Sequence, residues 1–250
     1  MKNTLLVLGV WLAGGALNMA LAAETTSASR FDATIQSTVA QVTTKKEFRN
    51  VQGSVEDGIV TLTGNVELYQ QKLDATKKVR KLANVQGVRN RIAVSGNVPD
   101  AQLTAVLDRK LYYDRLAQDN VFNYVSASAE NGVITLSGET RNEFDRDSAL
   151  RLVDNTAGVK DVIDNIKVAP VSIFDDSIRI GALRTIYRDP VLSRYAIDPA
   201  RPIRIVVDRG HLSLYGTVAS TLDKQVAGIR ANQVFGAFTV QNNLQVEKKS

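Results

Sequence analysis

Hydrophobic and polar positions alternate in short runs along this chain, and one run returns three times. DGIVTLTG at 57–64 reappears as NGVITLSG at 131–138 and as RGHLSLYG at 209–216. Val60 and Leu62, Ile134 and Leu136, and Leu212 and Leu214 alternate with polar residues, the period of a strand with one buried face. Upstream of the first glycine, Val51, Gly53 and Val55 keep the same period, as do Val125, Ala127 and Ala129, and Ile203, Ile205 and Val207. Asp57-Gly58 and Asn131-Gly132 predict tight hairpin turns with positive φ. Arg209-Gly210 keeps only the glycine and leaves the turn type open.

The glycine pairs Gly58/Gly64, Gly132/Gly138 and Gly210/Gly216 set a ruler. The second glycine of each pair is expected to end the strand. Eleven residues beyond it stand Ala75, Ala149 and Ala227, where a helix comes close to a sheet. In the first copy Leu68, Ala75, Val79 and Leu82 form one helical face. Twenty residues beyond lie Asn84, Gly158 and Gly236, expected as left-handed residues after the helix. A last strand follows, with Val85, Val88, Ile92 and Val94 in the first copy and Val159, Val162, Ile166 and Val168 in the second.

A further helix precedes each hairpin. Asp32, Asp100 and Asp175 are expected to cap these helices. Their apolar faces are Ile35, Val39 and Val42; Leu103, Val106 and Leu107; and Ile178, Ala182 and Ile186. The third copy carries an insertion, RYAIDPARP, expected as a rigid loop. The pattern predicts an α+β protein of three tandem αββαβ modules, each a small three-stranded mixed sheet with two helices packed on one face. The expected divisions are 24–98, 99–170 and 171–250.

The N-terminus departs from this scheme. Lys2 precedes an apolar run, Leu5–Leu17, too short and glycine-broken for a membrane span. Ala20-Leu21-Ala22 is a small-x-small cleavage pattern, so residues 1–23 are expected to be a secretory signal and the protein periplasmic, with an uncleaved membrane anchor as the alternative.

Composition then narrows the chemistry. The chain has no cysteine and one histidine, His211, which removes disulfides, thiolate chemistry and most zinc or serine–histidine sites. No nucleotide, hydrolase or paired-carboxylate motif is present, so neither an enzyme nor a cofactor is expected. Phe122, Tyr124 and the pair Tyr112-Tyr113 are expected as core and helix-packing residues.

Charge is uneven: the three divisions carry net +4, −4 and +4. Lys77, Lys78, Arg80 and Lys81 cluster on the second helix of the first copy, with Arg89 and Arg91 beyond. Seven arginines fall between Arg179 and Arg209 in the third copy. A basic residue recurs at Lys72, Arg146 and Lys224. The expected export excludes nucleic acid as a partner, as does the lack of aromatics among the basic strands.

Gly58-x-Val60-x-Leu62-x-Gly64, the central Ala75 and the closing Gly158-to-Val168 segment resemble the BON domain family. That family occurs in osmotically inducible periplasmic proteins, secretin-like proteins and lipoproteins. Asn84, Ala237 and His211 depart mildly from its pattern. The resemblance implies attachment to membranes through phospholipid headgroups, with Lys77, Lys78, Arg80, Lys81, Arg89 and Arg91 as candidate contacts to an anionic surface. It also implies the alternative of a chaperone-like or protein-interaction role toward exported clients. It brings no catalytic residues.

Overall fold

The computed structural model describes residues 28–113, 120–197 and 202–247. The segment expected as a secretory signal lies outside the described residues.

The first module runs α1 (Asp32–Thr43), β1 (Val51–Glu56), β2 (Ile59–Val66), α2 (Tyr69–Arg80), β3 (Gly87–Asn90) and β4 (Ala93–Val94). The second is α3 (Asp100–Tyr113), β5 (Tyr124–Glu130), β6 (Val133–Thr140), α4 (Glu143–Asp154) and β7 (Asp161–Val168). The third is α5 (Ile173–Tyr187), the short α6 (Arg194–Ile197), β8 (Arg204–Asp208), β9 (His211–Tyr215), β10 (Thr217–Val218), α7 (Thr221–Asn232), β11 (Thr239–Asn242) and β12 (Gln245–Val246). In each, an antiparallel hairpin is joined by a parallel third strand: β1-β2-β3, β5-β6-β7 and β8-β9-β11. β4 continues β3 along β2, so the first sheet is three strands wide.

The three hairpins share one turn geometry. Asp57, Asn131 and Arg209 have φ of 50°, 54° and 49°, and Gly58, Gly132 and Gly210 after them 72°, 80° and 80°. Two successive left-handed residues match the right-handed twist of the strands. Arg209 takes this conformation although it is neither Asn nor Asp. Asn84, Gly158 and Gly236, between the second helix and the last strand of their modules, are left-handed at φ of 64°, 93° and 88°.

In the first two modules the second glycine of the pair does not end its strand, contrary to expectation. β2 and β6 run two residues past Gly64 and Gly138, held by continued pairing with the third strand, although β2 leaves β1 at Gly64 and β6 leaves β5 after Glu139. Gly216 departs in its own way. With φ of 122° it interrupts the strand after Tyr215, and pairing resumes at once: β10 runs beside β12 just as β9 runs beside β11. A Cβ at Gly216 would stand 2.8 Å from the Pro202 carbonyl oxygen and 3.1 Å from the Tyr112 hydroxyl. The glycine thus leaves room for a tyrosine of the second module, a use that its place in the repeat does not disclose.

The aspartates expected as helix caps do a different job. Asp32 accepts the N–H groups of Asp57 (2.9 Å) and Gly58 (2.8 Å). Asp100 accepts those of Asn131 (2.7 Å) and Gly132 (2.9 Å), and Asp175 those of Arg209 (3.0 Å) and Gly210 (2.8 Å). Two carboxylate oxygens match two adjacent donors that the turn leaves unpaired. Ser172, not Asp175, caps α5, accepting from the Asp175 N–H at 3.1 Å. α2 starts one residue after Leu68, and its buried face is Tyr69, Ala75 and Val79. On α3 the buried face is Leu103, Leu107 and Leu111, while Val106 is exposed. The insertion begins with the helical turn α6, whose Tyr195 is buried; residues 198–201 lie outside the described residues.

The modules pack through two unlike junctions. At the first, Tyr69 of α2 sits in the core of the second module, and its hydroxyl donates to Asp161 at 2.8 Å. Burial beside that carboxylate pushes the Tyr69 phenol above its ordinary range. At the second, the Tyr112 hydroxyl donates to the Pro202 carbonyl at 3.1 Å, and the buried Arg204 guanidinium donates to the Tyr112 carbonyl and lies 5.1 Å from that ring's centre. Tyr124 stacks on Tyr215, centroids 4.0 Å apart and planes 6° from parallel. β8 is therefore buried on both faces from Arg204 to Val207. Of the expected core aromatics, Tyr112 and Tyr124 serve this junction. Tyr113 is exposed, and Phe122 packs against the third core.

Burial raises the Asp154 carboxyl at the end of α4 to about 6. An acid raised above its unfolded value of about 3.9 favours the fold at low pH and loses that contribution as pH climbs through the folded value. Urea titrations followed by circular dichroism are expected to show the second module weakening from about pH 4 to above pH 6, and Asp154→Asn to remove that trend.

Candidate functional site

The basic cluster of the first module is built on the last turn of α2, which carries Lys77, Lys78 and Arg80, with Lys81 just beyond. Cations are favoured there by the helix carbonyl dipole. Lys77, Arg80 and Lys81 are exposed. Lys78 reaches sideways instead: its Nζ is 3.0 Å from Glu47 Oε1 and 4.6 Å from the centre of the Phe48 ring. The bond from Lys78 holds the Glu47 carboxyl below its ordinary range.

That contact pins a one-turn 3-10 helix, Lys46–Phe48, against α2. Phe48 is buried in the first core. Exposed Lys45, Lys46 and Arg49 thus join the cluster from a segment some thirty residues earlier. A polar pocket of about 270 Å³ opens beside them, its wall carrying Lys46 and Arg49 but also Glu47 and Glu67. Sequence reasoning missed Lys45, Lys46 and Arg49. Their charge was visible, but their position depends on one long-range pair, Glu47–Lys78.

Arg89 and Arg91 do not belong to this surface. Asn90 points to the helix layer, where its amide donates to the Lys72 carbonyl at 2.9 Å, and Ile92 is buried. Arg89 and Arg91 alternate with them and stand exposed on the other side of the sheet.

The recurring basic position has no shared side-chain role. Arg146 is held by Glu143 (2.9 Å) and Asp164 (2.6 Å), while Lys72 lies 5.9 Å from the Tyr69 ring. The Lys72 and Lys224 carbonyls do recur as acceptors, for Asn90 and Asn242. Several arginines of the third module are likewise tied to partners within the fold. Arg179 donates to Asp176 and Val207, Arg194 pairs with Asp223 at 2.6 Å, and Arg204 is 2% exposed at the junction. Arg184, Arg188 and Arg209 remain exposed; Arg201 lies outside the described residues.

The third module carries a different surface. Val171, Ile173, Phe174, Phe235 and Phe238 all face solvent, Phe235 at 99% exposure. The Phe174 and Phe238 rings are 5.6 Å apart, and Phe238 lies against the Gly210 turn. The first two modules carry Gln86 and Lys160 where the third has Phe238. Exposed aromatics gathered at one module end mark an interaction surface more than chance does. His211 is exposed, its Nδ1 2.6 Å from Thr239 Oγ1. Among the described residues no group of three or more acidic or histidine side chains is placed to hold a metal, and no helix is long and apolar enough to cross a membrane.

Three hairpin-and-two-helix modules, clamped alike and joined in tandem, define a small α+β repeat class. The BON domain model matches residues 31–96, 99–170 and 190–248, and the chain belongs to that family. The third match begins after α5, which nonetheless completes the third module. No curated protein matches the chain. Among solved structures it is similar to CdsD, a structural protein of the Type III secretion system of Chlamydia trachomatis. Identity there is 14% over 85% of this chain and 91% of that one, with a TM-score of 0.25. The C-terminal domain of CdsD gives 14% identity over 84% and 96%, with a TM-score of 0.24.

Proposed function

We propose that this is an exported periplasmic protein that binds anionic phospholipid headgroups through its first module and supports the envelope under stress. The observation that carries this reading is the exposed basic surface that Lys77, Arg80 and Lys81 of α2 share with Lys45, Lys46 and Arg49, which the Glu47–Lys78 pair brings beside them. Each basic side chain near such a surface contributes about 1 kcal/mol, within a Debye length of about 8 Å at physiological salt. A lipid phosphate seated by Lys46 and Arg49, with the lysines of α2 spread on neighbouring headgroups, uses all of them together. Nothing in this arrangement supplies a nucleophile, a general base and an electrophile to one another, so the role is binding and not catalysis.

Reversing Lys77, Lys78, Arg80 and Lys81 to glutamate tests it. Partitioning onto vesicles rich in phosphatidylglycerol is expected to fall at least tenfold. Arg89→Glu with Arg91→Glu, on the far side of the sheet, is expected to change it far less. Equal loss in both variants would point to net charge and not to this surface.

The apolar cluster of the third module favours a second reading, in which exported clients are held through Phe235 and Phe238. Suppression of client aggregation would then survive the charge reversals and be lost in Phe235→Ser with Phe238→Ser.

A further inference from the structure

The outer faces of the second and third sheets flank a half-open cavity of about 590 Å³, a size typical of small-ligand sites. Ser137 and Glu139 of β6 line one side with Asn165 and Lys167, their partners in register on β7. Asp208, His211 and Gln241 line the other, and the stacked Tyr124 and Tyr215 form part of the wall.

Glu139 Oε1 is buried and has no hydrogen-bond partner among the described residues. Lys167 stands on the next strand yet forms no ion pair with it. Buried acceptors are almost always satisfied, so a lone one in a cavity wall marks a place for a donor. Among the lining side chains the two carboxylates of Glu139 and Asp208 stand against the one ammonium of Lys167, which tilts the wall toward negative charge. Burial, then the charge of Asp208, push the Glu139 carboxyl up, against the opposing pull of Arg179 and Lys167 and with a lesser push from Asp175 behind the turn. A cation beside Glu139 would reverse that balance.

We propose that the cavity binds a small organic ammonium compound, its N–H groups donating to Glu139 with Asp208 as the second counter-charge. The amides of Asn165 and Gln241 flank the pair and suit the polar remainder of such a molecule. The site exists only where the second and third modules meet, so its occupant ties them together. It is separate from the basic surface of the first module and stands or falls independently of it.

Calorimetric titration of residues 24–250 with 1,4-diaminobutane tests this, with 1,4-butanediol as the neutral molecule of the same length. Saturable binding of the diamine and none of the diol is expected. Affinity should rise with pH as Glu139 ionises, with proton release visible as a dependence on buffer ionisation heat. Glu139→Gln should weaken binding at least tenfold. Should that variant lose its fold by circular dichroism, Asp208→Asn, on the rim and partly exposed, is expected to weaken binding severalfold. No saturable diamine binding, equal binding of the diol, or an undiminished affinity in a folded variant would overturn the assignment.

Discussion

Gly64→Ala unfolds the first module and leaves the third folded. At Gly64 the backbone has φ of 106°, and an added Cβ would stand 1.9 Å from the Asn50 carbonyl oxygen. That oxygen accepts the Asn65 N–H at 3.2 Å, so it cannot withdraw without breaking the point where β2 leaves β1. The conformation alone costs a side chain about 1–3 kcal/mol, and overpacking adds a similar amount. A module of this length holds only about 4–11 kcal/mol in total. Hydrogen exchange is expected to show the amides of β2 unprotected in the variant, with β9 unchanged. Retained protection in β2 would mean that the strand crossing tolerates more than this geometry allows.

Asp175→Ala costs the third module more than Asp32→Ala costs the first. Both carboxylates bridge two turn N–H groups, but the Asp175 bond to Gly210 is buried, whereas the Asp32 bonds reach solvent. Buried donors stripped of a charged acceptor cost about 1.5–3 kcal/mol each, and water replaces the acceptor at an exposed turn. The turn at Asp175 also has less of its own to rely on, because Arg209 is held left-handed at φ 49° where the other modules use Asp or Asn. Urea denaturation followed module by module by hydrogen exchange is expected to give about 3–5 kcal/mol for Asp175→Ala and about 1–2 kcal/mol for Asp32→Ala. Equal losses would mean that burial does not set the strength of the clamp.

These aspartates mark where sequence reading worked and where it misled. Strands and hairpins were legible because alternation and turn residues are local: Val60 and Leu62 must face one way, and Asp57-Gly58 permits little but a tight turn. The same locality misread Asp32, Asp100 and Asp175. An acid at a helix start has one sequence signature whether it caps that helix or reaches a turn some twenty-five to thirty-five residues on. Gly64 and Gly138 were misread for the same reason. A glycine where a strand bends looks like a glycine where it stops, and only the third strand's continued pairing tells them apart. Packing between modules left no periodic trace either. The run Arg204–Val207 reads as a half-buried strand, and only the docking of Tyr112 and Tyr124 buries its outer side. The candidate site was legible as charge on α2 but not as a surface. Its missing half arrives through Glu47, and Arg89 and Arg91, adjacent in sequence, turn away.

Co-sedimentation of residues 24–250 with vesicles tests the headgroup reading most directly. Phosphatidylglycerol-rich and pure phosphatidylcholine vesicles are compared at low salt and at about 0.5 M salt, where screening shortens to a few ångströms. Binding to the anionic vesicles alone, abolished by salt, is the expected result. Binding to neither lipid, or equal binding to both that salt does not touch, would contradict it.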